Sequence, residues 1–136
     1  YFRKMRVSVN TPMETHTFDA SAEPLGRMAS RIATILMGKH HPSVQHHVKE
    51  PIRVVVTQSD RVRLSGRKWD QKLYHRHSGY LGKLKTFTAD WVRQHDSRRL
   101  VSLAVWGMLP KNKLRRRLIK NLVIYKGEMH EKEPRS

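Results

Sequence analysis

The chain of 136 residues carries 28 Lys and Arg against 11 Asp and Glu, a formal net charge of +17 with histidine neutral. This length suits one domain, and 38% hydrophobic residues are enough for one core, which argues against disorder throughout. The excess charge favours a polyanionic partner, with nucleic acid ahead of a membrane surface or an acidic protein. The sequence contains no cysteine, which excludes disulfides, thiolate zinc sites and cysteine nucleophiles.

The first third of the chain predicts an arm, a strand and a helix. Residues 1–14 are basic and lack periodicity, and Thr15–Ala20 is a short strand candidate. The stretch "EPLGRMASRIATILMGKHHP" predicts a helix, because Pro24 suits its first turn and Gly38 suits its C-terminal cap. One apolar face of this helix is formed by Leu25, Met28, Ala29, Ile32, Ala33 and Leu36.

The opposite face of the predicted helix offers Arg27 and Arg31 to a partner. The stretch "IRVVVT" (Ile52–Thr57) is β-branched without polar alternation, which predicts a strand buried on both faces. The stretch "DRVRLSG" (Asp60–Gly66) alternates Arg with apolar residues, which predicts an adjoining strand. Strand, helix and buried strand in succession indicate an α/β layer architecture.

From Arg67 to Lys85 we expect a long irregular loop that is basic and functional. Its aromatic residues Tyr74 and Tyr80 could stack on unpaired bases or pack against the core, and Gly79 would allow close approach to a phosphate. The basic side chains of this loop are Lys72, His75, Arg76, His77, Lys83 and Lys85.

Cap residues divide the last third into helices. Thr88 is expected to cap one helix and Asp96 or Ser97 a second, which Pro110 ends. Asn112 is expected to cap a third helix, "KNKLRRRLIKNL", and "LVIYKG" to return as a strand.

The third helix is amphipathic and carries unbalanced charge. Its segment, Gly107–Gly127, holds seven Lys and Arg and no acidic residue, which a merely solvated helix does not explain. Phosphate neutralisation does explain it, because Lys and Arg displace condensed counterions. At helical spacing, Lys113, Arg116, Arg117 and Lys120 share one face, and Leu114, Leu118 and Leu122 share another.

Metal and catalytic sites are not predicted. Nine histidines include the group His40, His41, His46 and His47, but adjacent residues rarely bind one ion together, and Glu50 is the one carboxylate nearby in sequence. Contacts with RNA or solvent are therefore favoured for these histidines. The acidic residues are scattered in a positive field, which lowers carboxyl pKa values and opposes general-acid catalysis.

A helix-turn-helix is the rival interpretation of the charge. Two helices joined by "MLPK", the second one basic, would make the chain a DNA-binding regulator that reads DNA with Asn112–Leu122. Against this, the basic residues are spread over at least three segments, which suits distributed contacts with one large folded RNA.

Three blocks carry a family resemblance. In this order, "DASAEPLGRMASRIATILMGKHHP", "RLSGRKWDQKLYHRHSGY" and "GMLPKNKLRRRLIKNLVIYKG" resemble the signature blocks of the large-subunit ribosomal protein L13 family. The resemblance runs from about Phe18 to Gly127, and "GMLPKN" is similar to the bacterial and organellar branch.

The resemblance implies a fold and a function. The fold is a three-layer α/β/α domain around a small, mainly parallel four-stranded sheet, with a basic N-terminal arm and an extended basic loop. The arm covers residues 1–14, the L13-like domain 15–127 and a C-terminal tail 128–136. The function is to bind and organise large-subunit ribosomal RNA during assembly, beside neighbouring ribosomal proteins. Enzymatic activity, cofactor, small-molecule substrate and membrane insertion are not implied.

The predicted RNA-facing positions come from two sources. The resemblance carries over Arg27, Lys39, His40, Lys68, Lys72, Tyr74, His77, Ser78, Gly79, Tyr80, Lys111, Asn112, Lys113 and Arg115. The charge pattern adds Arg31, His75, Lys83, Lys85, Arg116, Arg117 and Lys120.

The chain departs from the family pattern at several loops. Pro51-Ile52 stands where Gly-Asp is usual, and Leu81-Gly82-Lys83 where Pro-Gly-Gly is usual. This drift, the start at Tyr1 and the high charge predict a mitochondrial ribosome, with the bacterial cytoplasm or a plastid as the alternative.

Overall fold

The computed structural model describes residues 13–42 and 52–128, which form one parallel sheet, one β-hairpin and four α-helices. In chain order the elements are β1 Glu14–Asp19, α1 Leu25–Leu36, β2 Ile52–Thr57, α2 Lys68–Gln71, β3 Leu73–His77, β4 Leu84–Thr88, α3 Ala89–Met108, α4 Arg115–Leu118 and β5 Leu122–Ile124. Of the predicted arm, residues 1–12 lie outside the described part of the chain, and Glu14 already begins β1. Residues 129–136 of the predicted tail also lie outside it.

The parallel sheet has the order β1-β2-β5, with β2 in the centre. Phe18 of β1 pairs with Val56, and Leu122 of β5 pairs with Val54. Both valines have no solvent exposure, as expected for a central strand covered on the side that faces the helices. The strands predicted at Thr15–Ala20 and Ile52–Thr57 are confirmed, with β1 shifted by one residue.

The helix α1 follows the sequence signals closely. Pro24 precedes its first residue with extended backbone, and all six residues of the predicted apolar face are buried. At the C-terminal end Gly38 has a φ of 72°, a conformation that glycine adopts without a steric penalty. The amide of Lys39 donates to Thr34 O (3.2 Å) and that of Gly38 to Ile35 O (2.8 Å), which is the Schellman pattern of helix ends.

The two helices predicted between Thr88 and Pro110 are continuous with a kink. Thr88 Oγ1 accepts a hydrogen bond from the amide of Trp91 (3.3 Å), so this cap is confirmed. Asp96 leaves the helical conformation (φ −155°, ψ 96°), and its Oδ1 accepts from the amide of Arg98 (3.2 Å). Asp96 therefore caps the second half of α3, as the sequence predicts.

One hydrophobic cluster holds the elements together. It includes Met28 of α1, Val54 of β2 and Leu100 of α3, all less than 2% exposed. Trp69 of α2 and Leu118 of α4 pack against its edge, so every α-helix of the described residues contributes to it. The structure is mixed α/β. The three-layer arrangement stays a prediction.

The predicted four-stranded sheet is wrong for the residues described. The strand expected at Asp60–Gly66 is replaced by a 3₁₀ turn, Ser59–Arg61, and an extended segment with a single bridge between Arg63 and Pro24. The irregular loop expected at Arg67–Lys85 instead contains α2, β3 and the start of β4. The strands β3 and β4 form an antiparallel hairpin that is separate from the parallel sheet.

The helix expected over Asn112–Leu122 is much shorter. Its α-helical part is α4, Arg115–Leu118, followed by a 3₁₀ turn at Ile119–Asn121. Like charges at i, i+3 and i+4, such as Lys113, Arg116 and Lys120, destabilise a longer helix. The strand β5 then begins at Leu122. None of the helices described is long and apolar enough to cross a membrane.

The cluster makes a stability prediction. Replacing Leu100, which has no exposure, with Ala should lower the free energy of unfolding by about 2–5 kcal/mol, because it leaves a cavity among buried side chains. Leu81→Ala is the matched control, since Leu81 is 100% exposed, and it should change stability by no more than about 0.5 kcal/mol. Urea unfolding of both variants measures the difference, and equal effects would contradict the assignment of the core.

Candidate nucleic-acid interface

The hairpin β3–β4 gathers basic side chains from both of its strands. Arg76 pairs with Lys85, and His77 pairs with Leu84, so cations that are nine residues apart in sequence become neighbours. A groove of about 530 Å³ is lined by Arg76, His77, Ser78, Lys83, Lys85 and Phe87. Arg76 is outside the predicted contact set. Its place between His75 and His77 in a basic stretch is the signal that could have included it.

The hairpin turn places a glycine and a tyrosine in solvent. Gly79 has a φ of 96°, and its amide donates to His77 Nδ1 (3.0 Å), which orients the imidazole. Tyr80 follows with 76% of its surface exposed. An exposed ring beside cations is the arrangement that stacks on an unpaired base.

Tyr74 has a different role from Tyr80. Its ring is half-buried and packs against the hydrophobic cluster, with Lys72 Nζ 5.7 Å from the ring centroid. Burial raises the pKa of the Tyr74 phenol above its ordinary value of about 10. The packing interpretation therefore applies to Tyr74, and the stacking interpretation is left to Tyr80.

The exposed face of α1 lies beside the end of α3. Ser30 Oγ is 3.3 Å from Met108 Sδ, and Ser30 lies on this face between the predicted positions Arg27 and Arg31. Arg27 is exposed. Arg31 is also exposed, but its guanidinium donates to the Glu23 carboxylate.

The segment that leads into β5 displays a row of exposed cations. The exposed members are Lys111, Lys113, Arg116, Arg117 and Lys120. Leu114 and Leu118 are half-buried on the other side, which confirms the amphipathic pattern although the α-helix is short. Asn112 Oδ1 accepts from the amide of Arg115 (3.1 Å), so Asn112 caps the turn before α4, whereas Leu114, which directly precedes α4, makes no side-chain cap.

Arg115 is turned towards the protein. Its guanidinium carbon lies 4.0 Å from the centroid of the Trp106 ring, and it donates to the Trp106 carbonyl. The side chain thereby fixes α4 to α3, and its contact with RNA stays a prediction.

Other predicted positions lie apart from these surfaces. Lys39 and His40 follow the C-terminal end of α1, and the axial rise from Arg27 to Leu36 alone is roughly 14 Å. His40 Nε2 lies 3.4 Å from Glu14 Oε2, so its ring turns towards β1. Lys68, on α2, donates to Ser65 Oγ (3.1 Å).

Few of the cations are neutralised within the protein. Across residues 13–42 and 52–128, the ion pairs of Lys or Arg join Arg31 to Glu23 and Arg98 to Asp96. The cations of the hairpin and of Lys111–Lys120 make no such pair in that part of the chain. Both surfaces therefore keep their charge for an external anion.

The described residues do not contain the long recognition helix that the helix-turn-helix interpretation requires. The element after "MLPK" is a four-residue helix, about 6 Å long, which cannot follow a major groove. The preceding helix α3 is followed by an extended Leu109 (ψ 149°) rather than by a tight helical turn.

The burial of Tyr74 makes a prediction about pH. Because the folded protein holds the Tyr74 proton more tightly than the unfolded chain does, stability should fall as pH rises above about 10. Tyr74→Phe cannot ionise and should lose this component, which the parent protein keeps. Denaturant unfolding of both proteins from pH 8 to 11 measures the difference. Identical profiles would contradict the burial of Tyr74.

Comparison with known proteins shows the family of the chain. Residues 13–131 match the family described as Ribosomal protein L13. The chain is 53% identical over 115 residues to the large ribosomal subunit protein uL13 of Syntrophobacter fumaroxidans, covering 85% of this chain and 81% of that protein. It is 43% identical over 134 residues to the protein of the same name from Thermotoga petrophila, covering 96% and 90%. The chain that folds around β2 and displays these cations therefore belongs to the ribosomal protein L13 family.

Proposed function

We propose that the chain is a structural, non-enzymatic component of the large ribosomal subunit that binds and organises large-subunit ribosomal RNA. Its relatives are named as large ribosomal subunit proteins, and those named above come from bacteria. The observation that carries the proposal is the pair of cationic surfaces, the β3–β4 hairpin and the segment Lys111–Lys120, whose Lys and Arg have no counter-ion among the described residues.

The two surfaces suit different parts of an RNA. The groove beside Arg76 and Lys85 offers several cations around a concave space, which fits a phosphate backbone. Tyr80 at the turn offers a ring face to an unpaired base. The row Lys111–Lys120 offers a line of exposed cations, which fits the phosphate backbone of an RNA helix.

Because the two surfaces are separate, the chain could bind two RNA segments at once and so promote assembly of the subunit. Each phosphate that a cation neutralises lowers the repulsion between RNA segments, so binding two segments at once favours their packed arrangement. Lys39, His40 and Lys68 extend the proposed contacts beyond the two main surfaces. Neighbouring ribosomal proteins are the further partners that family membership supports.

The proposal also names a cellular compartment. The mitochondrial ribosome is the location that loop drift and charge favour. The bacterial relatives fit the alternative, a bacterial cytoplasm. Crosslinking in the source cells, with sequencing of the attached RNA, decides: large-subunit reads of mitochondrial origin support the first, bacterial reads the second. Reads from duplex DNA sites would overturn the RNA-binding function itself.

Charge reversal at α4 tests the binding surface. Arg116→Glu with Arg117→Glu should weaken binding to large-subunit RNA fragments roughly tenfold or more, because it places carboxylates beside phosphates. The slope of log K against log salt should become shallower by roughly 1.4–1.8, the equivalent of two lost contacts. Both side chains are exposed, so circular dichroism should show an unchanged fold.

Two further variants control this experiment. Arg61→Glu with Arg63→Glu makes the same change in net charge at exposed residues outside the proposed surfaces, and it should reduce binding much less. Leu118→Asp should instead unfold the segment, because Leu118 packs against the core. Equal losses for the two charge-reversal pairs would mean that net charge alone, and not this surface, drives binding.

A further inference from the structure

Four side chains with metal-binding chemistry meet at one corner of the sheet. Glu14 and His16 lie two residues apart on β1, so both point to the same side of the strand. His40 and His41 are adjacent in sequence, an arrangement that rarely binds one ion, but the turn that follows the Schellman cap at Gly38 directs the Nε2 atoms of both rings towards Glu14. Glu14 is 26 and 27 residues away from these histidines in sequence, which is why the sequence alone did not connect them.

The ligand atoms converge on the Glu14 carboxylate. Glu14 Oε2 lies 2.8 Å from His41 Nε2 and 3.4 Å from His40 Nε2, and Glu14 Oε1 lies 2.8 Å from His16 Nε2. One ligand atom from each of Glu14, His40 and His41 lies within 4.8 Å of the other two. Ligands of a tetrahedral zinc ion are roughly 3.3 Å apart, given bonds of about 2.0 Å, so small side-chain rotations would bring these atoms around one ion.

His16 provides an independent observation. Its Nε2 is buried and lies 2.8 Å from Glu14 Oε1, with which it forms an ion pair when the imidazole is protonated. It makes no hydrogen bond of regular geometry with a described residue, and a buried nitrogen in this position calls for a better-placed partner such as a water or an ion. The ring of His16 also lies edge-on to that of His40, with centroids 5.3 Å apart.

We propose that Glu14, His40 and His41, with His16 as the fourth ligand, form a site for a divalent transition metal of the zinc class. Imidazole nitrogens with one carboxylate are the donors that zinc prefers, whereas Mg²⁺ and Ca²⁺ require oxygen ligands. The strongly basic chain further disfavours the hard cations, whose binding depends on surrounding negative charge. The side chains of all four residues are between a quarter and two-fifths exposed, so an ion can enter from solvent.

The role of the ion would be structural. It would join the first residue of β1 to the turn after α1 and so close the β1–α1 unit at the end opposite to Pro24. All four ligands belong to one folded corner, so an ion bound there stabilises the folded state and not the unfolded chain. This role is separate from RNA binding, and it is tested on the free protein.

The test uses the full chain after treatment with a chelator. Zn²⁺ titrated by calorimetry should bind with one equivalent per chain and raise the unfolding temperature. Co²⁺ in its place should give the intense visible absorption of a tetrahedral site with nitrogen and oxygen ligands. Glu14→Ala and His41→Ala should each weaken Zn²⁺ binding roughly tenfold or more, because each removes a ligand. His95→Ala, an exposed histidine outside the cluster, should bind as the parent does.

Other results would overturn the site. Unchanged binding in both variants, with loss on replacing His46 and His47, would move the ion to a segment outside the described residues. Binding of Zn²⁺ too weak to alter the unfolding temperature would also overturn it. Circular dichroism of the metal-free variants separates loss of a ligand from loss of the fold. RNA enters none of these measurements, so failure of the ribosomal proposal would leave the result interpretable.

Discussion

The parallel pairing of β2 with both of its neighbours is the constraint on which the rest of the structure depends. Tyr125 donates to Val56 O (2.8 Å) and Gln58 to Gly127 O (2.8 Å), so the end of β2 fixes the chain that follows β5. The segment Lys111–Lys120 is thereby held between α3 on one side and β5 on the other. The like charges of this segment repel one another, and the helix propensity of a short helix does not hold the segment in place. The pairing of β5 with β2 therefore fixes the geometry of the segment.

The few acidic residues explain how so much charge is tolerated without being neutralised. Asp19 accepts from Ser21, Asp60 from the buried Ser97, and Asp96 from Arg98, so each carboxylate supports a turn or a helix start. Ser97 Oγ also lies 3.0 Å from Ser59 Oγ, which joins the end of β2 to the second half of α3. These three carboxylates thus organise turns and a helix start, and within the described residues the cations of the hairpin and of Lys111–Lys120 keep their charge for an external anion.

Sequence reasoning succeeded where the signal is local and one face is buried. The apolar face of α1, the valines of β2 and the caps at Thr88 and Asp96 were all predictable, because each depends on neighbours within a few residues. The hairpin was missed for a physical reason. Most side chains of β3 and β4 are exposed on both faces, so no alternation marks them as strands. Their pairing, such as Arg76 with Lys85, is visible only once the chain has folded.

The contact between Glu14 and the histidines is also visible only once the chain has folded, because these residues are far apart in sequence. One of them, His40, has two proposed roles, since it belongs to the predicted RNA-facing set and also to the cluster at β1. The nitrogen that faces Glu14 is Nε2, which leaves Nδ1 on the other side of the ring. A metal-bound imidazole uses its second nitrogen as a hydrogen-bond donor, and a phosphate oxygen is a suitable acceptor. Metal binding would then fix the ring and its tautomer without occupying Nδ1, the nitrogen left for the predicted RNA contact. The two roles are compatible because they use different nitrogens.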